Sequence, residues 1–115
     1  SAAYSQAKIT AREASQHIGE SVMVVDTVYG GRLLSSGMTL LNVGGEFPNH
    51  LLVVMIKAED RAKFTYKPEE QLKGKQVKVS GRVIDYKGKP QIIVDDPKQI
   101  EETSIVNTSS SLKKK

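Results

Sequence analysis

The side chains of this 115-residue sequence that could do chemistry are few. Asp95 and Asp96, with Arg82 upstream, are the set on which a phosphodiesterase could be built. Asp96, however, stands directly before Pro97, where an aspartate is more simply a turn former. His17 and His50 are the only histidines, and cysteine is absent. A metal site would need both histidines plus carboxylates, and no recognised ligand spacing joins them. His17 falls near the end of a helical stretch, where interaction with the helix dipole is the ordinary explanation. His50 follows Pro48-Asn49 in a loop. Gly30-Gly31 and Gly44-Gly45 are isolated pairs that lack the lysine and hydroxyl residue of a phosphate cradle, and turn geometry explains them. The sequence reads as non-enzymatic, with no metal and no cofactor.

A different chemistry suits the aromatic and cationic side chains. Proteins that hold single-stranded nucleic acid stack bases on aromatic faces and track phosphates with cations. Tyr29 with Arg32, and Tyr86 with Lys87 and Lys89, present that mixture twice. Asn42 can hydrogen-bond a base edge or backbone, and Phe47 can add a stacking face. The plain alternative for Tyr29 and Tyr86 is that each covers one end of an apolar interior. Lys78, Ser80 and Arg82 share the outward face of one strand, which is usually just solvated.

These residues must be positioned by a small fold. At this length one domain is expected, and 38% hydrophobic with 26% charged residues suits a globular chain. No apolar run is long enough to span a bilayer, so no membrane insertion is expected. Formal charge is +4, but Lys113, Lys114 and Lys115 supply three of the basic groups. Without them fourteen basic side chains face thirteen acidic ones, so global charge says little about partners. No apolar segment of a signal peptide follows the N-terminus. The opening Ser1-Ala2-Ala3-Tyr4 fits a mature exported protein, a location preferred here over the cytoplasm.

Residues 1–8 read as a lead-in and 103–115, serine-rich and basic, as a disordered tail. Between them, Thr10 and Glu13 have capping-box spacing for a short helix over 11–18, closed by Gly19. Strands are predicted over 21–29, 38–43, 51–57, 76–85 and 91–95. Gly30-Gly31 should end the first of these. A short helix is expected over 58–64, and a glycine-centred hairpin loop over 86–90. Gly81 marks a sharp bend. Gly19-Glu20-Ser21-Val22-Met23-Val24 and Gly74-Lys75-Gln76-Val77-Lys78-Val79 echo each other, as two strands built alike. Val22, Val24, Leu40, Val53, Val79 and Ile92 are expected inside. Five short strands closing on themselves make an all-β, five-stranded OB-fold Greek-key barrel over residues 9–102. It carries a short N-terminal helix and a short helix between the third and fourth strands. An open sandwich would need seven strands.

The sequence also resembles the OB-fold domains of bacterial nucleic-acid-binding proteins, notably small exported ones. The resemblance runs from about Ile9 to Ile100. It rests on Glu13-Ala14, His17-Ile18-Gly19-Glu20, Thr39-Leu40-Leu41-Asn42-Val43-Gly44, Phe47-Pro48 and 51–56. It also rests on 72–83 and on Tyr86-Lys87-Gly88-Lys89-Pro90-Gln91-Ile92. Asp26 departs from it, standing where such domains usually carry a glycine. In barrels of this type the second and third strands, with the loops joining strands one to two and four to five, form the ligand face. The expected function is a non-catalytic module binding single-stranded DNA or RNA with weak sequence preference, through Tyr29, Arg32, Asn42, Phe47, Tyr86, Lys87 and Lys89. The alternative is a protein- or saccharide-interaction domain on the same barrel, favoured by the near-neutral body of the chain.

Overall fold

Valine spacing organises the first long strand. Val22, Val24 and Val28 alternate onto one face and are completely buried, within β2 (Ser21–Leu33). The computed structural model describes residues 6–103. β2 does not stop at Gly30-Gly31, as the sequence predicts. A bulge between Val28 and Gly30 shifts its register, and the strand continues, with Gly31, Arg32 and Leu33 opposite Leu41, Leu40 and Thr39. The glycines serve the close approach instead: a Cβ on Gly31 would sit 2.5 Å from the Leu40 carbonyl oxygen. Glycine inside a strand more often marks such a bulge than an end.

The next strands are β3 (Thr39–Val43) and β4 (Leu52–Ile56), an antiparallel pair. Two single-turn helices follow, α1 (Ala58–Arg61) and α2 (Pro68–Gln71), where one was predicted. The Arg61 guanidinium joins them. It donates to both Glu69 carboxylate oxygens, at 2.7 and 3.1 Å, and to the Thr39 hydroxyl at 2.6 Å. β5 (Gln76–Tyr86) and β6 (Lys89–Ile93) form the last hairpin. β2 pairs with β3, β3 with β4, β4 in parallel with β6, β6 with β5, and β5 with β2, so five strands close a ring. β5 runs through Gly81 with no register shift, and the glycine allows a close approach, since a Cβ there would meet the Ile92 side chain at 2.7 Å.

Two further strands bring the sheet to seven rather than five. β1 (Ala7–Ile9) lies parallel on β2, and β7 (Ile100–Glu102) antiparallel on β5. Three residues carry no legible period, and these segments are extended only because a strand edge is there to pair with. Residues 7 and 8 thus belong to the sheet rather than to a lead-in; residues 1–5 and the tail beyond residue 103 lie outside the described residues. Ala11–Gln16 is a 3₁₀ helix. The Glu13 carboxylate accepts the Thr10 amide at 2.8 Å, and Gly19 ends the segment with φ of 90°. Asp26 is what ties this helix down: its two carboxylate oxygens accept the amides of Ala11 at 2.9 Å and Thr27 at 2.8 Å. No described helix is long and apolar enough to cross a membrane.

Inside the ring lie Val22, Val24, Leu41, Leu52, Ile56, Val79 and Ile92, all fully buried. Leu40 and Val53, expected among them, are half-buried on the outer face. Successive strand residues point to opposite sides. With Leu41, Val43, Leu52, Val54 and Ile56 inside, Leu40, Asn42, Val53 and Met55 must face out.

Candidate functional site

That outward row is the floor of a groove. Its first compartment, about 260 Å³, is lined by Gly31, Arg32, Leu40, Asn42, Phe47, His50 and Val53. Its second, about 320 Å³, is lined by Leu34, Met38, Leu40, Val53, Met55, Tyr86 and Gln91. Leu40 and Val53 line both compartments, so the two are adjacent across β3 and β4, one on either side of these side chains.

Local backbone chemistry places the rims. The β5–β6 turn is two residues, Lys87-Gly88, with φ of 53° and 86°. Positive φ at both centres is the hairpin geometry that matches strand twist, and glycine supplies the second position without strain. The turn leaves Tyr86 opposite Lys89 at the end of the ladder. The Lys87 ammonium lies 5.3 Å from the centre of the Tyr86 ring, in cation–π range. At the other rim the β3–β4 loop carries Phe47, 69% exposed, with its ring stacked on His50 at 5.5 Å and 18° between planes. His50 itself is only 7% exposed. Its Nδ1 is buried without a hydrogen-bond partner among the described residues. Burial, and secondarily the nearby Lys89 charge, holds its pKa below the usual histidine value. The Lys89 ammonium donates to the His50 carbonyl at 2.8 Å, bridging β6 to this loop.

Of the residues singled out from sequence, Arg32, Asn42 and Phe47 meet in the first compartment and Tyr86 lines the second. Lys87 and Lys89 flank the groove through Tyr86 and His50. Arg32 stands on β2 itself, opposite Leu40, rather than in a loop. Tyr29 sits at the bulge, 45% exposed, and lines neither compartment. Sequence reasoning missed Leu40, Val53, Met55, His50 and Gln91. Gln91 had a signal, being a polar residue at the head of an apolar run; His50 had none.

Of the two carboxylates considered for catalysis, that of Asp96 has a local structural role, while Asp95 is held through its backbone. Asp96 caps the 3₁₀ turn Pro97–Gln99 by accepting the Lys98 amide at 2.9 Å, as its place before proline implies. The Asp95 carbonyl accepts the Lys63 ammonium at 2.9 Å, and Arg82 donates to the Gly19 carbonyl. His17 pairs with Glu20 at 2.8 Å. No cluster of three or more metal-ligating side chains occurs among the described residues.

No protein-family model matches the chain, and no curated protein matches it. Solved structures do share its fold. One is a protein assigned as an aspartyl-tRNA synthetase of Leishmania major Friedlin, with TM-score 0.56 and 15% identity over 86% of this chain and 21% of that one. Another is asparaginyl-tRNA synthetase of Pyrococcus horikoshii with bound asparaginyl-adenylate, with TM-score 0.50 and 14% identity over 76% of this chain and 20% of that one. The chain spans about a fifth of the length of these proteins, and at such identities what is shared is the fold.

Proposed function

We propose that this chain is a non-catalytic OB-fold module that binds single-stranded nucleic acid, with weak sequence preference, along the outer face of β3 and β4. The observation that carries the reading is the groove itself, with an exposed aromatic ring at each end, Phe47 and Tyr86, and with Arg32, Lys87 and Lys89 around it. Stacking plates beside cations are what sequence-tolerant binding requires, and this is the face that closed barrels of this kind use. The shared fold with two tRNA synthetases supports nucleic acid as the ligand class. Their catalysis does not carry over, since fold alone licenses no chemistry.

Titration of a fluorescent single-stranded oligonucleotide at low and moderate salt tests the reading. Binding that weakens with salt is expected, because cation–phosphate contacts release counterions. The oligonucleotide should emerge uncut after incubation with magnesium or calcium, as a denaturing gel would read. A protein or saccharide ligand is the second reading, favoured by the apolar floor of Leu40, Val53 and Met55. It takes over if no oligonucleotide binds in about 20 mM salt, where screening is weak.

A further inference from the structure

We infer that the groove holds two successive nucleotides, unstacked from each other, and that this pair is the whole recognition unit. The inference rests on the nucleic-acid reading of the groove and deepens it to a ligand of defined size.

Each compartment repeats the same pair of tools. The first has the Phe47 ring and the Asn42 amide, and the second has the Tyr86 ring and the Gln91 amide. Strand register fixes how they are spaced. Asn42 is paired with Val53 across β3–β4, and Val53 with Gln91 across β4–β6, so the three lie in one row over adjacent strands. Neighbouring strands are about 4.8 Å apart, which sets the two amides' backbones roughly 9–10 Å from each other. Stacked nucleotides advance only about 3.4 Å each along a strand. A continuous stack would therefore lay bases over Val53, where there is neither a ring nor a polar group. Two neighbours splayed apart instead put one base in each compartment, with Leu40 and Val53 as the divide.

The polar groups agree with this size. A primary amide offers both donors and an acceptor, and either end can be turned towards the base. Asn42 and Gln91 can thus serve any base edge, which keeps sequence preference weak. The cations are few. Lys89 is already engaged by the His50 carbonyl, leaving Arg32 at one compartment and Lys87 at the other. Two phosphate contacts predict a shallow salt dependence, a log–log slope of about −1.4 for a single strand.

The test is a length series of oligothymidylates, from thymidine monophosphate through the dinucleotide and trinucleotide to the hexamer and dodecamer, measured by calorimetry on the whole chain. The dissociation constant should fall by about tenfold or more from monomer to dimer, as the second stacking contact forms. From dimer to hexamer it should change only about fivefold, the number of dinucleotide registers a hexamer contains, with the salt slope unchanged. Phe47→Ala and Tyr86→Ala, at exposed rings whose loss leaves the interior intact, should each weaken the dimer by roughly 5- to 150-fold. A monomer that binds as tightly as the dimer overturns the inference. So does affinity that climbs by a further hundredfold to the hexamer with a slope of about −3 or steeper, the mark of an extended phosphate track. Both of these outcomes leave the nucleic-acid reading standing. Absence of binding even by the dodecamer in about 20 mM salt removes that reading, and the inference with it.

Discussion

Lys89 and His50 are joined across the rim of the groove: the lysine ammonium donates to the histidine carbonyl at 2.8 Å, while the histidine ring supports Phe47 from below. One cation thereby holds the platform that carries a stacking ring. Lys87, two residues away, makes no such bond among the described residues and lies over Tyr86.

The two lysines should therefore fail differently. Lys87→Ala should flatten the salt dependence of oligonucleotide binding by about 0.7 in log–log slope, with no change in melting temperature. Lys89→Ala should cost about 1 kcal/mol of stability, because a backbone carbonyl loses a charged donor. Thermal melts of both variants, alongside the titrations, separate the roles; equal melting temperatures would show that the Lys89 bond supports nothing.

His50 makes stability depend on pH. Its folded pKa lies below the unfolded value of about 6.5, so the unfolded chain takes up the proton more readily. The stability due to neutral His50 is complete above about pH 6.5 and is lost as pH falls from there towards the folded value. Between pH 7.5 and 5.5 the wild type should lose more melting temperature than His50→Phe, which keeps the stack under Phe47. Parallel pH profiles would contradict this.

Adjacent valines on β4 should respond in opposite ways to the same change. Val54→Asp puts an unpaired charge inside the ring and should abolish folding. Val53→Asp faces the groove and should leave a folded protein, with a far-ultraviolet circular dichroism spectrum like the parent's, that no longer binds oligonucleotide. Unfolding by Val53→Asp would mean that the register of β4 is wrong.

The fork between Arg61 and Glu69 holds the two short helices to the start of β3. Glu69 has its pKa lowered, first by the hydrogen bond from Arg61. Glu69→Gln should destabilise by about 1.5–3 kcal/mol, the usual worth of a hydrogen bond to a charged group. Arg61→Lys should not restore the parent's stability, as one ammonium cannot reproduce a two-pronged contact. Urea unfolding curves measure both.

What could be read from sequence follows where side chains alternate. Val22, Val24 and Val28, and Val77 and Val79, declare their strands by a period of two in β-branched residues, with Ser21, Thr27 and Lys78 marking the other face. The run 51–56 is apolar throughout, and Leu40-Leu41 offers two leucines for one inward place. There the pattern does not decide the face, and Leu40 and Val53 are expected inside though they line the groove. The bulge at Val28/Gly30 depends on contact with β3, and β1 and β7 depend on the edges they pair with; both are tertiary events without a local signature. The rims were legible because turn chemistry is local: Tyr86-Lys87-Gly88-Lys89 marks a hairpin and delivers its own ring and cations. His50 and Gln91 entered the site only through the strands around them.

The closed pairing of five strands has a colloidal consequence. Unpaired strand edges are where sheets from different molecules join and begin to aggregate. Here the ring pairs five strands with one another, and along the outside of β2 and β5 lie two short strands, β1 and β7. Each is three residues long, one bearing Lys8 and the other Glu101 and Glu102. Edges so short and charged are poor templates for a foreign strand. Short, charged strands laid over longer ones lower the tendency to grow fibres while an apolar groove faces solvent.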